Sequence, residues 1–389
     1  MPKTSPKPGS AKELDVSVVL PCKDEEKTIG VCIKKIQAVF KAQGINGEII
    51  VSDSSKDSSP KIAESLGARV VVPWNKGYGN AYLAGFAASR GKIIVMGDAD
   101  DTYDFFEMPR LLEPLKAGKA DLVLGSRLKG TIMPGAMPRL HQYVGNPLLT
   151  FFLNTFFGTT ISDAHTGFRA FSREALVAID PHATGMEFAS EMIFKAAKKR
   201  LRISEVPITY YPRRSRPHLQ SFSDGWRHLR FMLLYAPNYL FLAPGVFFFT
   251  LGVLLMALLL GGPMELLGAK LDIHPMIAGS FMTILGFQLV IMGLFTKAYA
   301  SSVHFEEASQ TLRFLHKFFT LERASLIGLA VLAAGFALSF DIFYSWLSHG
   351  QGALWEIRRA VFSTTLMIIG VQTCFSAFFL SVLAIKKRD

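Results

Sequence analysis

Residues 92–104 read Lys92-Ile-Ile-Val-Met-Gly-Asp-Ala-Asp-Asp-Thr-Tyr-Asp104. Lys92 to Met96 is a short apolar run with two Ile and one Val, which reads as a buried strand. Gly97 ends it, and Asp98, Asp100 and Asp101 follow at once. In an extended chain residues i and i+2 face the same way, so Asp98 and Asp100 are expected side by side at the carboxyl end of a central strand. In open α/β sheets ligands bind at that edge. Two adjacent carboxylates repel each other, and a hard divalent cation bridging to phosphate oxygens relieves the repulsion. The alternative is an acidic turn that caps the next helix.

Outward from this stretch, strands alternate with helices. Val16 to Leu20 is a strand ending at Pro21, and the next helix carries the stripe Ile29, Cys32, Ile33, Ile36, Val39 and Phe40. Strands are expected at Glu48–Asp53, Ala68–Val72, Asp121–Gly125, near Phe168–Ser172 and near Ile203–Pro207. Helices are expected around Ile62–Leu66, at Gly79–Ser89 and Met108–Lys116, and near Ala189–Lys199. This order implies an α/β fold with a doubly wound, mainly parallel sheet. Asp53 and Asp57, in VSDSSKDSS, make a second acidic loop at the same edge; Ser and Asp there equally serve a turn. Asn75, Gly77 and Gly79 precede a helix, where glycines either let the backbone approach a diphosphate or simply make a turn.

Composition divides the 389 residues, half of them hydrophobic, into two parts. After Asn238 come long charge-free runs, expected to span a membrane as four helices at about 239–260, 274–295, 324–344 and 361–385. Leu140–Phe157 is apolar but short and interrupted by Pro147, so it reads either as a helix in the membrane interface or as a core helix. Asp224–Tyr235 pairs Trp226, Arg227 and Arg230 with an apolar face, as a juxtamembrane helix does. The expected organisation is a basic disordered tail (1–13), an α/β domain (14–222), the juxtamembrane helix (223–236) and an all-α membrane domain (237–389). The tail has no apolar signal segment, and an even number of spans puts both termini on one side, expected to be the cytoplasm. Lys297, Arg313, Lys317, Arg323 and Lys386–Arg388 agree with positive-inside, whereas Arg358 and Arg359 are discordant. The 298–321 connection is expected on the cytoplasmic surface. Cys22, Cys32 and Cys374 form no metal or disulfide pattern. A net charge of +11 fits an anionic membrane or a polyanionic partner; no basic helix or aromatic–basic surface motif points to nucleic acid.

In order, VVLPCKDEE, VSDSSKDSS, NKGYGNA, GDADD, GSR (Gly125–Arg127) and DAHTGFRAFSRE (Asp163–Glu174) resemble family 2 glycosyltransferases of the GT-A, Rossmann-like fold, and within them the dolichol-phosphate mannose synthase and polyprenyl-phosphate glycosyltransferase branch. The resemblance spans about Asp15 to Leu234. It implies a nucleotide sugar, GDP- or UDP-linked, bound by Pro21, Glu25, Asp53, Asn75, Gly77, Gly79 and Asp98. It implies Mg2+ or Mn2+ on Asp98 and Asp100. It also implies a polyprenyl or dolichyl phosphate acceptor held by Arg127, Arg139, Arg213 and Arg214. Arg169, with Arg213 and Arg214, would neutralise phosphate charge, and the catalytic set would be Asp98, Asp100, Arg127, Asp163 and Arg169. Asp163 would orient the acceptor or act as base, or it caps a turn. An acceptor phosphate is already anionic, so no strong base is needed. The chain departs from the pattern in having Ser52 before Asp53, where the family often has two acids, and His218 where a lysine is expected. A processive polysaccharide synthase would carry a QxxRW motif, but Trp226–Arg227 reads WR. A non-catalytic membrane scaffold would not need Asp98 and Asp100. A homo-oligomer stays open.

Overall fold

The computed structural model describes residues 14–214, 221–266, 268–302, 320–348, 351 and 356–384. The basic tail, His218, Arg313, Lys317 and Lys386–Arg388 lie outside the described residues, as does most of the 298–321 connection. The chain forms two compact units, Met1–Met232 and Leu233–Asp389.

The first unit is built on strands β1 (Val16–Cys22), β2 (Gly47–Asp53), β3 (Arg69–Val71), β4 (Ile93–Met96), β5 (Leu122–Ile132), β6 (Arg169–Ser172) and β7 (Ile203–Tyr210). Their order in the sheet is β3-β2-β1-β4-β6-β5-β7. The expected doubly wound, mainly parallel sheet is there, with one reversal: β6 runs antiparallel to both β4 and β5. The helices are α1 (Ile29–Gln43), α2 (Ser59–Ser65), α3 (Tyr78–Ala88), α4 (Met108–Lys116), α5 (Asn146–Phe157), α6 (Arg173–Ile179), α7 (Phe188–Lys198) and α8 (Ser221–Leu234).

Period-2 alternation sends β1 side chains to two cores. Val16, Val18 and Leu20 pack with Ile29, Cys32, Ile33 and Ile36 of α1. Val19 packs on the other face with Ile94, Met96, Tyr82, Phe86 and Phe188. The central strands are therefore buried on both faces, and their carboxyl ends converge on one edge. Helix α6 was not anticipated. It starts straight after β6, where the Ser172 hydroxyl accepts the Ala175 N–H at 3.1 Å.

The Leu140–Phe157 segment is a turn of π-helix at His141–Gly145 followed by α5, with Pro147 in the first turn where its missing N–H costs nothing. One face buries Thr150 and Leu153, and the other leaves Leu140, Tyr143, Val144, Leu148 and Phe151 exposed. The inner face thus behaves as a core helix does, and the outer face is apolar and exposed. In α8, His228 and Met232 point inward, while Trp226 and Leu234 are exposed.

The second unit contains four helices long and apolar enough to cross a membrane: Asn238–Leu259, Ile273–Tyr299, Leu321–Ser348 and Ile357–Leu383. An unanticipated hairpin, Met264–Leu266 with Ala269–Leu271, joins the first two. Hydroxyl pairs link helices, Ser280 with Thr365 at 2.7 Å and Ser339 with Ser363 at 2.9 Å, as expected where packing lacks a hydrophobic drive. The discordant Arg358 and Arg359 are ion-paired with Asp272 and Asp341, so the two cations do not stand uncompensated.

Candidate active site

β4 stops at Met96, and Ala99–Asp100 is already a turn. Asp98 and Asp100 therefore do not share a face through strand geometry, as the i, i+2 argument had it. They are neighbours because the turn folds the chain back, with Asp101 left-handed at φ 61°. The Tyr78 and Tyr82 hydroxyls donate to Asp98 at 3.3 and 3.4 Å. Asp100 accepts the Thr102 N–H at 3.1 Å and its hydroxyl at 2.7 Å, and its other oxygen lies 3.3 Å from Arg213 Nε. Arg213 also pairs with buried Glu25. Lys35 lies 2.9 Å from Asp101 and 3.4 Å from Asp104, and Arg214 lies 3.5 Å from Asp101.

Burial first, and the Asp100 charge second, push the Asp98 carboxyl up to about 7 against the pull of Arg213. Arg213 is the cation that opposes this rise. Among the described residues no three His, Cys, Asp or Glu side chains gather as a closed metal cage. Two hard carboxylates without a third ligand suit an ion that takes its remaining ligands from water and substrate phosphates, as Mg2+ or Mn2+ does.

In the loops beside this pair, Pro21 pairs with Ser52 in the β1–β2 ladder, and the Glu25 N–H donates to Ser59 Oγ at 3.0 Å. Asp53 is buried and closes a turn, accepting the Ser55 N–H and hydroxyl at 2.9 and 2.8 Å. Asp57 accepts the N–H of Glu26 at 3.0 Å and that of Ser59 at 2.9 Å. These loops flank a cleft of about 520 Å3 whose lining includes Glu25, Lys56, Asp57 and Arg214.

The glycine expectation needs correcting. A Cβ at Gly79 would lie 2.1 Å from the Ala183 carbonyl oxygen, and one at Gly77 2.4 Å from that of Thr184. The glycines admit another segment of this chain rather than leaving an open cradle, and Asn75 is solvent-exposed. That segment is held by Glu191 of α7, which accepts the N–H groups of His182 and Ala183 at 2.9 and 2.7 Å.

The arginines divide sharply. Arg127 is buried and grips Asp163 with Nε at 2.7 Å, Nη2 at 2.8 Å and its own N–H at 3.0 Å, with its guanidinium over Tyr210. Burial disfavours both charges, but each partner outweighs it: Asp163 is held below the usual carboxylate range and Arg127 well above its ordinary value. Asp163, fully buried with both oxygens engaged, is a partner of Arg127 and not an accessible base. Arg169 is also fully buried. It donates to the carbonyls of Thr166, Ala189 and Ala164 at 2.8, 2.8 and 2.9 Å, and burial lowers its pKa. It clamps the 163–168 loop instead of reaching a phosphate. Arg139 is exposed, with no hydrogen bond or ion pair among the described residues.

Several residues in the site carry no local signal in the sequence. Glu205 of β7 accepts the N–H groups of Ser162 and Asp163 at 2.8 and 3.2 Å, and the Tyr103 hydroxyl accepts that of Gly167 at 2.7 Å. A Cβ at Gly167 would meet Asp98 Oδ2 at 2.8 Å, so only glycine lets this loop touch the carboxylate. His228 is buried and His165 is half-buried, and the two are joined through Ser190. Gly167 and His165 were findable, since both stand inside DAHTGFR, and Tyr103 stands inside the 92–104 stretch; Glu205, Ser190 and His228 are single polar residues in ordinary contexts.

The first unit and part of the second match known families. Residues 17–179 match the family model of glycosyl transferase family 2, and residues 294–384 match the family 2 C-terminal transmembrane region. The low-salt glycan biosynthesis hexosyltransferase Agl6 of Haloferax volcanii is 47% identical over 95% of this chain and 89% of its own length. A dolichyl-phosphate hexose transferase of the same organism is 33% identical over 54% of this chain and 89% of its own length. A solved structure of glucosyl-3-phosphoglycerate synthase from Mycobacterium tuberculosis, with Mn2+, UDP and glucosyl-3-phosphoglycerate, overlaps 60% of this chain and 86% of that one at 29% identity, with a TM-score of 0.47. With acidic loops at the carboxyl edge of its sheet, four apolar helices later in the chain, and a relative this similar along nearly all of its length, the chain belongs to glycosyltransferase family 2.

Proposed function

We propose that this protein transfers a hexose, with inversion, from a GDP- or UDP-linked sugar to a polyprenyl or dolichyl phosphate at the cytoplasmic face of the cell membrane. The observation that carries this reading is the adjacent pair Asp98 and Asp100, following β4 at the carboxyl edge of the sheet in a chain with four apolar helices. The relative named as a dolichyl-phosphate hexose transferase supports the acceptor class.

Asp98 and Asp100 would hold Mg2+ or Mn2+, which when bound supplies positive charge to the departing nucleoside diphosphate. The chain's own residues do the rest. Tyr78 and Tyr82 fix the orientation of Asp98, and Thr102 fixes that of Asp100. Arg213, which bridges Glu25 and Asp100 in this structure, is placed to transfer its guanidinium to a diphosphate oxygen. The more loosely held Arg214 follows it. The Arg127–Asp163 pair serves as the floor of the acceptor side. Exposed Arg139 meets the phosphate from the membrane side. The apolar face of Leu140, Tyr143, Val144, Leu148 and Phe151 rests in the lipid interface, so a prenyl tail need not leave the bilayer. The lipid phosphate arrives as an anion and needs no general base.

The test is transfer of labelled sugar into extractable lipid by the purified protein with Mn2+ and polyprenyl phosphate. Asp98→Asn, Asp100→Asn or chelation should each cut turnover at least ~100-fold, on the order of an electrostatic stabiliser removed from the leaving group. Full activity in excess chelator would overturn the metal role.

A further inference from the structure

We propose that His228, Ser190 and His165 form a positioning relay that couples the juxtamembrane helix α8 to the 163–168 loop on the acceptor side of the site; its functional arm rests on the acceptor reading above. His228 Nδ1 lies 3.0 Å from Ser190 Oγ, and Ser190 Oγ lies 3.4 Å from His165 Nε2. The two imidazoles meet edge to face with centroids 4.5 Å apart. Helix α8 is seated on α7 around this chain: Phe231 packs on Phe194, and Met232 is fully buried. Three residues after α8 the first apolar helix begins at Asn238, so α8 is the covalent link between that helix and the first unit.

The loop end of the relay is held from the sheet side. Asp163 is gripped by Arg127 of β5, the Ala164 and Thr166 carbonyls by Arg169 of β6, and Gly167 by Tyr103. His165 ties the loop to α7 and α8 through its side chain, and the Ala164 N–H donates to Thr150 of α5 at 3.2 Å. The same turn of α7 serves twice, because the Ala189 carbonyl accepts from Arg169 while Ser190 meets both histidines. A hydroxyl has one proton, so a donor–acceptor direction runs through Ser190: if it donates to His228, His165 must donate from Nε2. His165 Nδ1 is buried with no hydrogen-bond partner. An orphaned buried ring nitrogen lowers stability, so packing alone would favour an apolar residue here. Polar groups retained at such a cost fit a contact whose geometry matters, and this one ties α8 to the loop that holds Arg127 and touches Asp98.

Four single variants of the full-length protein in detergent test this: His228→Leu and Ser190→Ala break the relay, while His228→Asn and Ser190→Thr keep a polar atom in place of the lost one. Two readouts are taken: hydrogen exchange of a peptide covering 163–168, and separate KM values for polyprenyl phosphate and nucleotide sugar. The breaking variants should speed exchange at 163–168 and raise the acceptor KM roughly three- to tenfold, the size of one neutral hydrogen bond, with the donor KM within about twofold. The conservative variants should restore both. The His228→Leu/Ser190→Ala double variant should be no worse than either single, because the groups act as one chain. Unchanged exchange in His228→Leu, equal rises in both KM values, or failure of both conservative variants to rescue would each overturn the relay. If the wild type transfers nothing to lipid phosphate, the functional reading falls while the exchange experiment still decides the coupling.

Discussion

The Arg127–Asp163 pair offers the sharpest quantitative prediction. Arg127→Met removes the charge and two of three hydrogen bonds, and leaves a carboxylate at 0% exposure with only the backbone N–H groups of residues 127 and 165 as donors. Breaking a buried ion pair from one side costs about 3–5 kcal/mol, because the partner's charge stays buried. In a unit of this size each kcal/mol shifts the midpoint by about 2–4 °C, so a drop of about 6–20 °C is expected. Replacing both partners, as Arg127→Met with Asp163→Leu, should recover most of it, since a buried pair is worth little against apolar groups of similar volume. Buried Cys22 and Cys32 of the first unit report the transition through a thiol-reactive dye, in a Cys374→Ala background. A single-variant loss below about 1 kcal/mol, the worth of a surface pair, would refute the argument. So would a double variant as unstable as the two singles summed. The same reasoning means that an acceptor defect in Arg127→Ala cannot be read as loss of a phosphate contact alone.

Arg139→Ala should leave the unfolding midpoint unchanged and raise the acceptor KM by roughly tenfold or more, as for a charged hydrogen bond; a shifted midpoint or an unchanged KM contradicts its placement. Gly79→Ala drives a methyl into the Ala183 carbonyl and should cost about 1–3 kcal/mol, read by thermal shift; an unchanged midpoint contradicts the close approach. Burial, then His228, Arg127 and Arg169, hold His165 well below its ordinary value. An unfolded histidine takes up a proton near pH 6.5 that the folded one refuses, so this contribution is whole above that pH and declines as pH falls, with a slope approaching about 1.4 kcal/mol per unit. Wild type should lose stability between pH 7 and 5.5 more steeply than His165→Asn, and parallel profiles would contradict it.

The sheet was legible because its signals are local. Ile93–Met96, Val16–Leu20 and Glu48–Asp53 are apolar runs that end in Gly, Pro or Asp, and a strand's existence can be read from such a run alone. The direction of β6 could not be, since Arg169–Ser172 reads the same whichever way it pairs. Acids and arginines at the carboxyl edge were visible as residue types. Which of them neutralise each other was not, because Arg127 with Asp163 and Arg213 with Glu25 are joined across 36 and 188 positions. Gly77 and Gly79 show the same limit: close approach was foreseen, but the approaching backbone, residues 183–184, lies a hundred positions away. Arg358 and Arg359 show it too: their ion-pair partners Asp272 and Asp341 lie 86 and 18 positions away, though pairing does not change how the two arginines count toward positive-inside.

The central claim is tested most directly by mass spectrometry of the lipid extract after the purified protein, Mn2+, polyprenyl phosphate and each of a panel of nucleotide sugars are incubated together. The account predicts one new species, the mass of the lipid phosphate plus a single hexose, formed only when lipid phosphate is present. A sugar polymer with no glycosylated lipid phosphate, or transfer that proceeds equally without the lipid phosphate, would contradict it.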